Sequence, residues 1–224
     1  MTDQALSEEL QRQYARRFTP LQEYRRRVWS VLTRDFFQQI VGTDKTILDL
    51  GCGWGEFINQ IEARKKYGMD LNPASPDHLA AEVQFLNQDC SAPWQVPPGS
   101  LDIVFTSNFF EHLPDKEALK RTLQEALRAL RPGGQIICLG PNIKFVPGMY
   151  WDFLDHHVAL TELSLKEALE LTGFQVTRCQ DRFLPYTMVG GSLPPIWAVQ
   201  LYLKLPFVWK WKGKQFLVIA AKPS

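Results

Sequence analysis

The sequence predicts an α/β sandwich, a parallel sheet covered by helices on both faces with a helical segment in front of it. Three observations point there. The stretch Thr46 to Phe57, TILDLGCGWGEF, sets the short apolar run Ile47, Leu48 and Leu50 directly before Gly51, Gly53 and Gly55. Further short apolar runs alternate with stretches of helical period at the spacing of βαβ units. Two of the runs are followed by acids, Asp70 and Asp89.

The three glycines lack the Cβ that would hold a ligand away from the backbone. Their loop opens onto a helix expected over 56–63, whose free N–H groups would face the same space. That arrangement suits a nucleotide-like ligand. A dinucleotide fingerprint needs its third glycine at position 56, where Glu56 stands, and a carboxylate there repels a pyrophosphate. It tolerates a ligand bearing a sulfonium and an ammonium.

A chain of 224 residues holds one ordinary domain, or one with an appendage. Apolar residues at 45% and charged residues at 22% exclude wholesale disorder, and a net charge of +1 gives none of the basic footprint of long nucleic-acid contacts. Cys52, Cys90, Cys138 and Cys179 show neither a C-x-x-C pair nor metal-ligand spacing, so reduced thiols in a cytoplasmic protein are expected. The first residues, MTDQALSEEL, carry no apolar signal core, and no long uncharged span follows them. The expected organisation is a helical lid over 1–45 and one domain over 46–224, with an insertion at 184–214 before the last strand.

In chain order, a helix is expected over 7–18, and Thr19-Pro20 with Gln22 reads as a capping box starting a second helix at Pro20. Val28, Leu32, Phe36 and Ile40 give that helix an apolar stripe, with Tyr24 and Val31 beside it. Arg25, Arg26 and Arg27 read as its solvated face. After the glycine loop, residues 66–70 form a strand ending in Asp70, nineteen residues past Gly51, the distance at which an acid accepts hydrogen bonds from both ribose hydroxyls. Strands follow over 83–87 and 101–106, then a helix over 116–130 capped by Asp115 and ended by Arg131-Pro132-Gly133-Gly134. A fifth strand spans 135–140. The stretch 141–163, with His156 and His157, breaks the pattern, and Ser164 with Glu167 reads as a capping box for a helix closed by Gly173. Strands at 174–179 and 215–221 complete the set.

D-L-G-C-G-W-G, with Asp49 two residues before the first glycine, resembles the first motif of class I S-adenosylmethionine-dependent methyltransferases. Ser107-Asn108-Phe109-Phe110-Glu111-His112-Leu113-Pro114 is similar to the segment after the fourth strand in their small-molecule members, and L-R-P-G-G-Q-I-I from Leu130 to their helix-to-strand signature. The resemblance covers about residues 46 to 180 and implies a Rossmann-like, seven-stranded αβα sandwich whose last strand returns antiparallel beside the sixth. It implies S-adenosylmethionine as cofactor and S-adenosylhomocysteine as product. The cofactor contacts it implies are Asp49, Gly51, Cys52, Gly53 and Gly55 in the loop, Asp70 with Leu71, Asp89 with Cys90, and Ser107 with Asn108, Asp89 being placed to meet the adenine amino group. In similar methyltransferases the preceding helical segment closes over the methionine end, where an arginine can pair with the carboxylate.

A sulfonium methyl is already a strong electrophile, so the protein has mainly to align the acceptor and exclude water. A hydroxyl acceptor also needs a base, for which His112, His156 and His157 on the expected active-site edge are the candidates. Glu111-His112 resembles the Glu-His pair of ubiquinone-type O-methyltransferases, where nearby acids can hold a divalent ion. Asn108 replaces a further acid of those enzymes, so no metal is expected. The signatures of nucleobase methylation are absent, and the expected acceptor is a small molecule: a sugar, a lipid-linked glycan or a phenol-like hydroxyl. Residues 193–214, rich in Trp and Lys, read as a helix packed on the domain, a wall of the acceptor pocket or a peripheral membrane contact. Two other functional readings stand beside this one, a non-catalytic S-adenosylmethionine-binding protein and a nicotinamide-dependent oxidoreductase, the latter disfavoured by Glu56.

Overall fold

The computed structural model describes residues 21–186 and 193–224. The helix expected over 7–18 and the Thr19-Pro20 start of the next lie outside them. Seven strands form one sheet: β1 (Thr46–Leu50), β2 (Lys65–Asp70), β3 (Val83–Asn87), β4 (Leu101–Ser107), β5 (Leu130–Pro141), β6 (Gln175–Gln180) and β7 (Gln215–Ala221). Their order is β3-β2-β1-β4-β5-β7-β6, with β7 antiparallel to both neighbours and every other pairing parallel. The chain winds outward from β1 to β3 and then restarts at β4 on the other side of β1. That reversal opens a crevice at the carboxyl ends of β1 and β4.

Alternation along the strands sends side chains to two cores. Leu48, Leu50, Ile136, Cys138 and Val218 face α3 (Lys116–Ala129) and α4 (Glu162–Thr172). Ile47, Phe105, Ile137, Leu139, Leu217 and Ile219 face α1 (Gln22–Leu32), α5 (Ile196–Leu203) and α6 (Pro206–Lys212). Rings dominate the second core, where Phe57 stacks on Phe105 at 3.7 Å between centroids and Phe37 meets Phe105 edge-on at 5.1 Å.

Several elements differ from the expected ones. The helix over 56–63 is a run of turns in which only the Asn59 and Ile61 amides reach four residues back, to the Gly55 and Phe57 carbonyls. The Asn59 side chain instead ties this run to the next loop, donating to the His78 carbonyl and accepting from the Ala80 amide. The cap of α4 is Thr161, which exchanges hydrogen bonds with Ser164, so the helix starts before Ser164. The strand expected at 135 begins at Leu130, its pairing with β4 slipping between Leu101 and Ile103. Asp115 and Gly173 cap as expected, Asp115 accepting from the Ala118 amide and Gly173 taking φ 109°.

The N-terminal helix carries the most informative difference. Between α1 and α2 (Gln38–Val41) the chain makes a π-helical turn, Thr33–Phe37, which adds one residue to the repeat. The stripe expected at Leu32, Phe36 and Ile40 therefore becomes Leu32, Phe37 and Val41, which are buried, while Phe36 and Ile40 are half-buried beside them. Phe37→Ala is expected to cost about 3–5 kcal/mol of stability and Phe36→Ala clearly less. Denaturant unfolding of the two variants checks the order, which a plain α-helical stripe would reverse.

Candidate active site

The glycine loop turns back over the end of β2, where the Gly51 and Cys52 amides both donate to the Met69 carbonyl, at 2.9 and 3.1 Å. Gly51, Gly53 and Gly55 all have φ between 52° and 75°, a region open to glycine at no steric cost. Space is short as well: a Cβ on Gly51 would stand 2.3 Å from the Phe109 ring, and one on Gly55 2.6 Å from Leu79. The loop is pinned by Asp70, whose Oδ2 accepts from the Gly53 amide and whose Oδ1 accepts from the Asn72 amide, both at 2.8 Å.

Three acids share this end of the sheet. Burial holds the Asp49 carboxyl well above the usual range, the charges of Glu56 and Asp70 push it further, and a hydrogen bond from the Ile58 amide opposes them. Burial also raises Asp70, against the main-chain donors Asn72, Gly53 and Leu71. Glu56 pairs with Arg25 of α1 at 2.9 Å, with both side chains largely buried. A concentration of negative charge in a partly dry loop attracts a cation.

Four buried polar atoms lie near it without a partner among the described residues: Oγ1 of Thr106 and Oδ1 of Asn108 at the end of β4, and Nδ2 of Asn72 and Oγ of Ser75 beyond β2. Orphaned atoms of this kind call for a polar ligand. With the glycine cradle and the acids, they fit the adenosyl and amino-acid groups of S-adenosylmethionine. Leu71 is exposed and apolar just beyond Asp70. Asp89 is exposed, with its carboxylate accepting from the Ser91 amide. Cys90 turns inward: its thiol accepts from Thr122, its carbonyl from the Trp94 ring, and burial pushes the thiol up to about 11. Burial likewise raises the Cys52 thiol. Ser107 accepts from the Asn108 side chain, and Asn108 itself sits at φ 49°.

The histidines separate. His112 and His156 meet edge to face at 4.9 Å between ring centroids. His112 Nδ1 lies 3.1 Å from both the carboxylate and the carbonyl of Asp155, and His156 Nδ1 lies 2.8 Å from the Tyr150 carbonyl. Ligand-type atoms of Glu111, His112 and His156 all fall within 4.8 Å of one another. Burial pulls His112 down, but the Asp155 and Glu111 carboxylates outweigh it and hold the imidazole above its ordinary value. Burial raises Glu111. His157 is exposed, and its amide donates to the Glu111 carbonyl.

Sequence reasoning passed over Phe109, which covers Gly51, and Thr106. It also passed over Asp155, although an acid directly before the His156-His157 pair was a visible signal.

Because Asp49 binds its proton more tightly when folded, the fold loses stability as pH rises from about 4 through the raised value. Asp49→Asn is expected to raise the melting temperature at pH 8, with the gain vanishing below about pH 4. Its ligand-induced shift with S-adenosylmethionine should be smaller than that of the wild type. Thermal unfolding across pH, with and without the ligand, tests both statements.

The methyltransferase-domain family profile matches residues 21–178. Among curated relatives, 2-methyl-6-phytyl-1,4-hydroquinone methyltransferase of Synechocystis sp. is 30% identical over 57% of this chain and 46% of its own length. Ubiquinone biosynthesis O-methyltransferase of Serratia proteamaculans is 27% identical over 42% of this chain and 41% of its own. The chain thus spans less than half of either relative. A methyltransferase solved with the Trm112 methyltransferase activator of Haloferax volcanii superposes with a TM-score of 0.70 at 19% identity, covering 97% of each chain, a likeness of fold. On its family match, with its sheet order and glycine loop, the chain belongs to the methyltransferase-domain family of class I S-adenosylmethionine-dependent methyltransferases.

Proposed function

We propose that the protein transfers the methyl group of S-adenosylmethionine to an oxygen of a small molecule, a phenol-like hydroxyl or one on a sugar or lipid-linked glycan. The observation that carries this reading is the pairing of His112 with Asp155 at the same sheet edge as the acid-lined glycine loop. The two curated relatives, named for a hydroquinone and for ubiquinone biosynthesis, support a phenol-like acceptor.

When bound, the cofactor supplies the electrophilic methyl. Asp70 and the amides of the glycine loop would hold its ribose and amino-acid ends, and Asp49 and Glu56 would offset its positive charge. Leu71 and Asp89 flank the adenine, and Cys52, Cys90, Ser107 and Asn108 line the groove through backbone and polar atoms. With Nδ1 committed to Asp155, Nε2 of His112 would take the hydroxyl proton as the acceptor oxygen displaces the methyl from sulfur, the S–CH₃ electron pair leaving with S-adenosylhomocysteine. His156 braces His112 from the buried side, and the exposed His157 meets the acceptor at the mouth. Helix α1, held to the loop by Arg25 and Glu56, acts as the lid. No metal is required.

The rival readings give different results. A binding protein without catalysis would take up the cofactor and methylate nothing on a panel of phenols and sugars, and an oxidoreductase would be stabilised by NAD and not by S-adenosylhomocysteine. His112→Ala is expected to lower turnover about 10²–10⁴-fold with cofactor affinity kept. Since only the unprotonated imidazole accepts a proton, the rate should rise with pH through a midpoint above about 6.5, and Asp155→Asn should move that midpoint down. Chelation with EDTA should leave the rate unchanged. A rate lost to EDTA and restored by one divalent ion would instead assign Glu111, His112 and His156 to a metal that lowers the pKa of the acceptor hydroxyl.

A further inference from the structure

The insertion before the last strand carries an exposed surface that methyl transfer does not account for. β6 runs parallel and ends at Gln180, and the antiparallel β7 begins at Gln215, so both ends of the insertion sit at the edge that holds His112 and the glycine loop. Its inner side is fixed. Trp209 and Leu203 are buried, the Trp209 ring donates to the Tyr202 carbonyl, and the Tyr202 hydroxyl donates to the Phe183 carbonyl.

Helical spacing then forces the remaining residues outward. On α5, Trp197 is 65% exposed and Leu201 49% exposed, with Lys204 following on the same stripe. On α6, Phe207 is 66% and Trp211 83% exposed, with Lys210 between them and Lys212 beside them. Large apolar side chains held out in the solvent on two successive helices mark a contact surface.

The charge around them says what kind. Residues 182–224 contain six of the chain's basic residues and none of its acidic ones, Lys204, Lys210, Lys212 and Lys214 lying among the exposed rings. No helix among the described residues is long and apolar enough to cross a membrane. Tryptophan and phenylalanine projecting beside lysines, on helices too short to insert, suit the headgroup level of an anionic bilayer.

We infer that α5 and α6 dock the protein onto an anionic membrane surface, with Trp197, Leu201, Phe207 and Trp211 entering the headgroup layer and Lys204, Lys210 and Lys212 pairing with lipid phosphates. Both ends of the docked insertion lie at the sheet edge that holds His112 and the glycine loop. For the acceptor this extends the lipid-linked reading above, while the binding itself does not depend on it.

The test is co-sedimentation of the full chain with vesicles of phosphatidylcholine alone or mixed with phosphatidylglycerol, at low and high salt. The expected result is binding to the anionic vesicles only, weakened by salt. Lys210→Gln with Lys212→Gln should lower the partition coefficient about thirtyfold. Phe207→Ser with Trp211→Ser should abolish binding, both double variants keeping the wild-type melting temperature and S-adenosylhomocysteine affinity. Absence of binding to anionic vesicles, binding indifferent to lipid charge, or binding unaltered in both variants would overturn the inference. So would self-association in solution that the Phe207 and Trp211 changes disperse, or vesicle binding displaced by single-stranded DNA at equal charge. Failure of the methyltransferase reading would show separately, as vesicle binding by a protein that does not bind S-adenosylhomocysteine.

Discussion

Repulsion among Asp49, Glu56 and Asp70 at the ends of β1 and β2 is the constraint around which the site is arranged. Carboxyl groups this close and this buried are unfavourable unless something positive or a set of donors offsets them. The fold uses several means. Main-chain amides of Gly53, Asn72 and Ile58 meet Asp70 and Asp49, and Arg25 reaches across from α1 to Glu56. A cationic ligand bound here would complete the neutralisation, so that the same charges that cost stability in the free protein would favour its uptake.

The sheet places that constraint where chemistry can follow. Since β1 and β4 flank the reversal in strand order, the acids at the end of β1 face the residues that leave β4, among them Thr106, Asn108 and His112. The long path after β5 returns to this edge, and there Asp155 and Tyr150 fix the orientation of His112 and His156. The acids thus come from one half of the sheet and the contacting histidines from the other.

Much of this was legible in the chain itself. Ile47, Leu48 and Leu50 before three glycines marked the central strand, and the short run ending at Asp70 marked its neighbour β2. Less visible were features that depend on partners distant in sequence. The turns that replace a helix after Gly55 owe their form to Asn59, whose side chain bonds to residues about twenty positions on. Four-residue spacing chose Phe36 over its apolar neighbour Phe37, because the π-helical turn that shifts the stripe leaves no mark in the periodicity. Among the histidines, spacing gave three equal candidates, and only the packed fold distinguishes the contacting His112 and His156 from the exposed His157.

The π-helical turn has a reach beyond its own five residues. By holding one residue more than a regular helix, it lets Arg25 of the front half reach Glu56 while Trp29 before the turn and Phe37 with Val41 after it enter the same core against the sheet. Removing that extra residue would swing the front half by about 100° around its axis. A change some ten positions from Arg25 would then carry the guanidinium away from Glu56, leaving that carboxylate without its ion pair.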